Sequence, residues 1–171
     1  MTEVQGVGQG GRCTGCGSEH AELPTAMHIP APMFWSPEMA TDDASELTSD
    51  LCVIHGEHFF VHALIEIPVV GHDTVFAWGA WASLSADSFR RIVDDWDRPS
   101  REDAPPMFGW LSVELPGYAE STVNLKTMVH TRAVGVRPWL ELEPTDHPLA
   151  VEQRAGISWE TYVERVAPRA S

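Results

Sequence analysis

The chain has 171 residues, 43% of them hydrophobic, which suits one folded domain with its own core and excludes a disordered chain. Its 25 acidic residues against 11 lysines and arginines leave a formal net charge of −14, which disfavours nucleic acid and anionic membranes as partners and leaves a basic protein, a cation or a neutral small molecule open. No apolar run of about 18 residues is present to suggest a transmembrane helix, and the first residues, MTEVQGVGQGGR, lack the apolar centre of a signal peptide, so a cytoplasmic location is expected.

Residues 1–11 are glycine-rich and offer little to bury, so a disordered tail is expected there, with 12–167 as a single globular domain and 168–171 as a short tail. Cys13-Thr14-Gly15-Cys16-Gly17, followed by His20, is the sharpest motif in the chain. Two thiolates at C-x-x-C spacing, with glycines that let the backbone wrap an ion, form half of a tetrahedral structural zinc site, a zinc-knuckle-like segment over 12–20. His20 is the candidate third ligand and Cys52, the one remaining thiol, the candidate fourth. Three cysteines cannot all pair, which argues against a disulfide framework and for a reducing compartment. Cys52 in an apolar run also fits a small buried core residue. A redox C-x-x-C belongs at a helix start after a strand; this one follows a glycine tail, so zinc ranks above it.

Prolines 24, 30, 32 and 37 rule out a regular helix over most of residues 21–49, with a short helix around 38–47 as a weak option and Phe34 and Trp35 as anchors to the core. A short strand over 51–55 and a tight turn at His55-Gly56-Glu57 lead into the centre of the domain. There, 57–84 reads as two long apolar strands joined at Gly71-His72-Asp73, with Phe59, Val61, Ala63, Ile65 and Ile67 on one face of the first. Both strands are apolar on both faces, which predicts cover on both sides. His58 and His62 share a face, but neighbours four residues apart on a strand sit roughly 13 Å apart. They cannot share one ion, and half-exposed histidines are expected.

Ser85 caps a predicted helix over 86–97, with Phe89, Ile92, Val93 and Trp96 on its apolar face. Strands follow over 107–114, 121–133 and 136–143, the second with Val123, Leu125 and Val129 inward and the third with Leu140 and Leu142 inward. Between the first two, Pro116-Gly117 makes a turn. Asp146 or Thr145 caps a helix that has Pro148 in its first turn and stops at Gly156. Ser158 caps the last helix, with Trp159, Tyr162, Val163 and Val166 along one side. The order of elements predicts an α+β fold, a mostly antiparallel sheet covered by two or three helices. Seven tryptophans lie within the periodic segments, where they are expected to serve as core rather than as binding surface.

In order along the chain stand C-T-G-C-G-x-x-H, S-D-L-C-V-I, E-I-P-V, W-G-A-W, F-G-W-L-S and H-P-L-A-V-E-Q-x-x-G-I. This pattern, over about residues 12–160, resembles an uncharacterised bacterial family, domain of unknown function 2199. The resemblance implies one domain that joins the cysteine motif to the His147 segment, and it supplies no catalytic residue.

Nothing in the sequence has the form of a nucleophile elbow, a phosphate loop or an H-E-x-x-H zinc motif. The expected function is therefore a zinc-stabilised binding or interaction domain, one version being an acidic inhibitor or immunity-like protein for a basic partner. The alternative is a small metal-dependent or acid–base enzyme using Asp146 and His147, a carboxylate beside an imidazole. A redox or metal-sensing role through Cys13 and Cys16 is the third possibility.

Overall fold

The computed structural model describes residues 23–167. Eight strands and three α-helices follow one another as β1 (Ala26–His28), β2 (Glu46–Leu47), β3 (Leu51–Ile54), β4 (His58–Pro68), β5 (Val75–Leu84), α1 (Ala86–Asp94), β6 (Met107–Leu111), β7 (Lys126–His130), β8 (Trp139–Leu142), α2 (Pro148–Ala155) and α3 (Trp159–Val166). The α+β class and the mostly antiparallel pairing stand. What the sequence pattern did not disclose is closure. β4 through β8 form an antiparallel meander, and β8 returns to pair with β4 in parallel at Leu64 and Trp139. With an odd number of strands the last runs the same way as the first, so a parallel seam is the only way this meander can close. The result is a five-stranded, barrel-like sheet with β1 and the β2–β3 hairpin added at its margins.

The β4–β5 hairpin is the frame. Val61, Ala63, Ile65 and Ile67 stand opposite Ala82, Ala80, Trp78 and Phe76, and all eight are buried on the barrel's inner face. Leu111, Thr127, Val129, Leu140 and Leu142 complete that interior. Each large apolar side chain moved out of water contributes about 1.5–3 kcal/mol. The opposite face of the hairpin carries Phe60, His62 and Trp81, also buried. Its cover is the segment after β1: Trp81 Nε1 donates to the Ile29 carbonyl at 2.8 Å, and Phe34 packs on Phe60 at 6.2 Å between ring centres. The two-sided burial expected of this hairpin is thus met by barrel interior on one side and an irregular strap on the other. The predicted turn is in place, with Gly71 at φ 78°.

Several elements differ from the sequence expectation, each for a local reason. The proposed helix around 38–47 is instead a 3-10 turn, Pro37–Thr41, followed by β2. Asp42 accepts hydrogen bonds from the Ala44 amide at 3.0 Å and the Ser45 hydroxyl at 2.7 Å, and such a side-chain turn competes with helix continuation. Helix α1 stops at Asp94, three residues early, which leaves Trp96 beyond its end; Val93 and Trp96 are exposed while Ile92 is buried. Trp96 lies against the guanidinium of Arg101, 5.6 Å from the ring centre. The strand predicted over 121–133 is regular only from Lys126 to His130, because Asn124 takes a left-handed φ of 66° just before it. The short parallel strand β1 was not foreseen; it runs beside β5 where Gly79 leaves room, and a Cβ there would stand 2.0 Å from His28 Nδ1.

Candidate functional site

Helices α1 and α2 pack on β4, α1 also on β5, and α3 meets β5 through Tyr162 on Phe76, so among the described residues the outer face of β6–β7–β8 has no helix over it. Side chains alternate along these strands, so Met107, Gly109 and Leu111 point inward while Phe108 and Trp110 point out. Phe108 and Trp110 are 46% and 41% exposed and meet edge to face at 5.1 Å. Register then sets their neighbours: Phe108 lies opposite Met128, which lies opposite Glu141, and Trp110 lies opposite Lys126. At the far end His130 stacks on Trp139 with ring centres 4.2 Å apart, and its Nε2 is 3.6 Å from a Glu141 carboxylate oxygen. A shallow groove of about 690 Å³ runs over this face, between Phe108, Met128 and Trp139 on its floor and Lys126, Glu141 and Arg154 at its margins. Contiguous exposed aromatic surface with a polar rim is the form of a binding face rather than of a reaction centre. The expectation that the tryptophans serve as core is corrected for Trp96, which lies beyond α1, and for Trp110, because among the described residues no helix covers this face of the sheet.

The residues singled out as possible acid–base groups serve a different geometry. Asp146 is exposed, and His147 rather than Asp146 or Thr145 is the N-cap of α2. Its Nδ1 accepts from the Leu149 amide at 3.1 Å, so Nε2 carries the proton and donates to the Ser121 carbonyl at 3.0 Å. Both ring nitrogens are therefore engaged by backbone. Two positions into the following motif have equally structural partners. Glu152 receives the Arg165 guanidinium through two bonds of 3.0 Å and the Tyr118 hydroxyl at 2.6 Å, and Tyr118 in turn accepts from Trp78 Nε1 at 3.1 Å. Burial, reinforced by the Glu152 carboxylate, pushes the Tyr118 hydroxyl up, which keeps it a donor. Gln153 accepts from the Leu142 amide at 2.8 Å and donates to the Leu140 carbonyl at 2.6 Å, closing the free edge of β8 as a strand would. The segment is a clasp between α2, α3 and the barrel.

Of the candidate metal ligands, Cys13, Cys16 and His20 lie outside the described residues. Cys52 is fully buried in β3 within the apolar cluster, and burial pushes its thiol up to about 11. That is the behaviour of a small core side chain. Among the described residues no three His, Cys, Asp or Glu side chains gather as a metal cluster. The half-exposed histidine expected at position 62 is corrected: His62 is 4% exposed, stacked on Trp81 at 4.9 Å and edge-on to His28 at 5.4 Å. The strap over β4–β5 buries it.

Fold and site together define a small, acidic, barrel-centred α+β protein with an aromatic outer face and a clasped carboxy-terminal helix pair. The chain belongs to a family described as an uncharacterised protein conserved in bacteria (DUF2199), whose family model matches residues 12–157. Neither a curated protein nor a solved structure matches it.

Proposed function

We propose that this protein is a binding domain: an acidic barrel that engages a basic protein through the outer face of β6–β7–β8, with a structural zinc ion held at its amino-terminal C-x-x-C segment. The observation that supports this is the uncovered face itself, where Phe108, Trp110, Met128 and Trp139 lie beside Glu141 and Glu143. Aromatic rings flanked by carboxylates suit lysine or arginine side chains, whose charge is drawn to the ring faces and whose stems pack on them. The net charge of −14 adds long-range attraction for a basic partner, which speeds encounter. An inhibitor or immunity-like protein is the concrete form this takes. The acid–base alternative at Asp146 and His147 gains no support from the geometry, since both His147 nitrogens are tied to backbone.

The test uses Phe108→Ala, Trp110→Ala and Glu141→Lys together, all at exposed side chains. Chemical crosslinking of wild type in a bacterial lysate, read by mass spectrometry, is expected to capture a basic protein whose recovery falls with added salt. The triple variant, with an unchanged circular dichroism spectrum, is expected to lose it. Equal capture by both proteins would refute this face as the binding surface.

A further inference from the structure

The connection between β7 and β8 folds round a buried guanidinium. Arg101 is 8% exposed, and its side chain donates to the carbonyls of Arg132 and Trp96 at 2.7 Å and of Ala133 and Val136 at 3.1 Å. Backbone oxygens answer its hydrogen bonds but not its charge. Among the described residues no carboxylate stands within ion-pair distance of Arg101. A charged side chain at this depth ordinarily has a counter-charge beside it.

Arg101 borders a cavity of about 200 Å³, at the end of the barrel where α1 meets this connection. Its apolar lining includes the buried Val61 and Ile92 and the more exposed Trp96 and Val136. A second guanidinium, that of the half-buried Arg137, also faces it. Arg137 Nε donates to Asp50 at 3.1 Å, and among the described residues its two terminal nitrogens have no hydrogen-bond partner. Asp50 thus occupies the side of the guanidinium, and the outer fork stays open, the edge that grips a carboxylate through two parallel bonds. Of the other polar groups in the lining, Asp97 is exposed at the rim, and His62 is engaged by backbone carbonyls. Two cations therefore meet one enclosed carboxylate, and the interior is short of a negative charge.

We propose that this cavity binds a small monocarboxylate with a compact apolar body. The carboxylate takes the open fork of Arg137, and the body packs against Trp96, Ile92 and Val136. Arg101 is a positioning residue: it holds the connection in shape, and its charge favours an anion inside. Inorganic phosphate suits the cavity less well, because much of the lining is apolar and offers a dianion no hydrogen bonds. Helix α1 also brings its carboxy-terminal end here, the opposite of the helix end that phosphate sites use. The cavity shares no lining residue with the groove on β6–β7–β8, so this site stands apart from the proposed protein-binding face.

The test titrates benzoate and isovalerate into the isotopically labelled full-length chain and follows amide and indole signals by NMR. Saturable shifts are expected at Trp96, Val136 and Arg137, with a Kd on the order of a millimolar for so small a ligand. Benzyl alcohol keeps the ring without the charge, and inorganic phosphate keeps the charge without the ring; neither should saturate at the same concentrations. Arg137→Gln should weaken benzoate binding about 10-fold or more, the loss expected for charge-assisted hydrogen bonds. Arg137→Lys should restore it only in part, since an ammonium lacks the fork. Trp96→Ala removes an exposed ring from the wall and should weaken binding too, so it decides the matter even if Arg137→Gln disturbs the connection. Arg90→Gln, which removes an exposed guanidinium elsewhere on α1, should bind as wild type does. Equal affinity in wild type, Arg137→Gln and Trp96→Ala would overturn the site. So would phosphate saturating as readily as benzoate, or no saturable shift with either carboxylate.

Discussion

Glu152 carries more of the tertiary structure than its place on a short helix suggests. Its two oxygens hold Arg165 from α3 and Tyr118 from the turn after β6, while the Arg165 guanidinium lies 5.4–5.5 Å from the ring centres of Phe76, Trp78 and Tyr118. The guanidinium is 11% exposed, so losing the carboxylate strands a largely desolvated charge among aromatic rings. Glu152→Ala should therefore cost about 3 kcal/mol, the lower end of the range for a broken buried pair, because the carboxylate keeps some solvent. Tyr118→Phe leaves Arg165 paired but orphans the Trp78 N–H, and should cost about 1–3 kcal/mol. Urea denaturation of the two variants checks the order. A Tyr118→Phe loss larger than that of Glu152→Ala would show that the hydroxyl bridge, not the ion pair, governs the clasp.

At the scale of elements, the clasp works because α2 replaces a missing strand. β4 pairs with β8 over a single bridge, at Leu64 and Trp139, so the rest of that β8 edge needs another partner. Gln153 provides it with one amide, bonding Leu142 and Leu140 together. Gln153→Leu keeps the volume and removes both bonds, leaving a backbone N–H and a carbonyl unanswered at about 1–3 kcal/mol each. Amide hydrogen exchange should accelerate first at Leu142. Uniform acceleration across the whole domain would instead mean that α2 and the barrel open as one unit. None of this was legible in the sequence, where nothing marks Glu152 or Gln153 as partners of residues far along the chain. Periodicity reports which face of a strand is apolar, and it placed the β4–β5 hairpin, the inward Leu140 and Leu142, and the caps at Ser85 and Ser158. It cannot report a partner far along the chain. Barrel closure, the burial of His62 and the bareness of the β6–β8 face all depend on such partners, here a parallel seam, a strap and the helices' choice of β4 and β5.

For the whole molecule, the net charge of −14 on 171 residues sets a self-repulsion that the described ion pairs only partly relieve. Most of those pairs are solvated surface contacts, Arg90 with Asp87 and Arg98 with Asp95 among them, and such pairs contribute about 0–1 kcal/mol each. Salt acts on the two terms with opposite sign. It screens repulsion among excess carboxylates, which stabilises the compact state, and it weakens surface ion pairs, which destabilises it. The Debye length falls from about 30 Å at 0.01 M to about 3 Å at 1 M, so the long-range repulsion is the first to go. The shielded Arg165–Glu152 pair is screened least. Repulsion should win, and the melting temperature should rise with sodium chloride, most steeply at the low end of that range. Potassium chloride should act equally, since the effect is screening and not a specific ion. A melting temperature that falls with salt would mean that local pairs outweigh the excess charge, and the acidity would then lose its standing as a surface held ready for a basic partner.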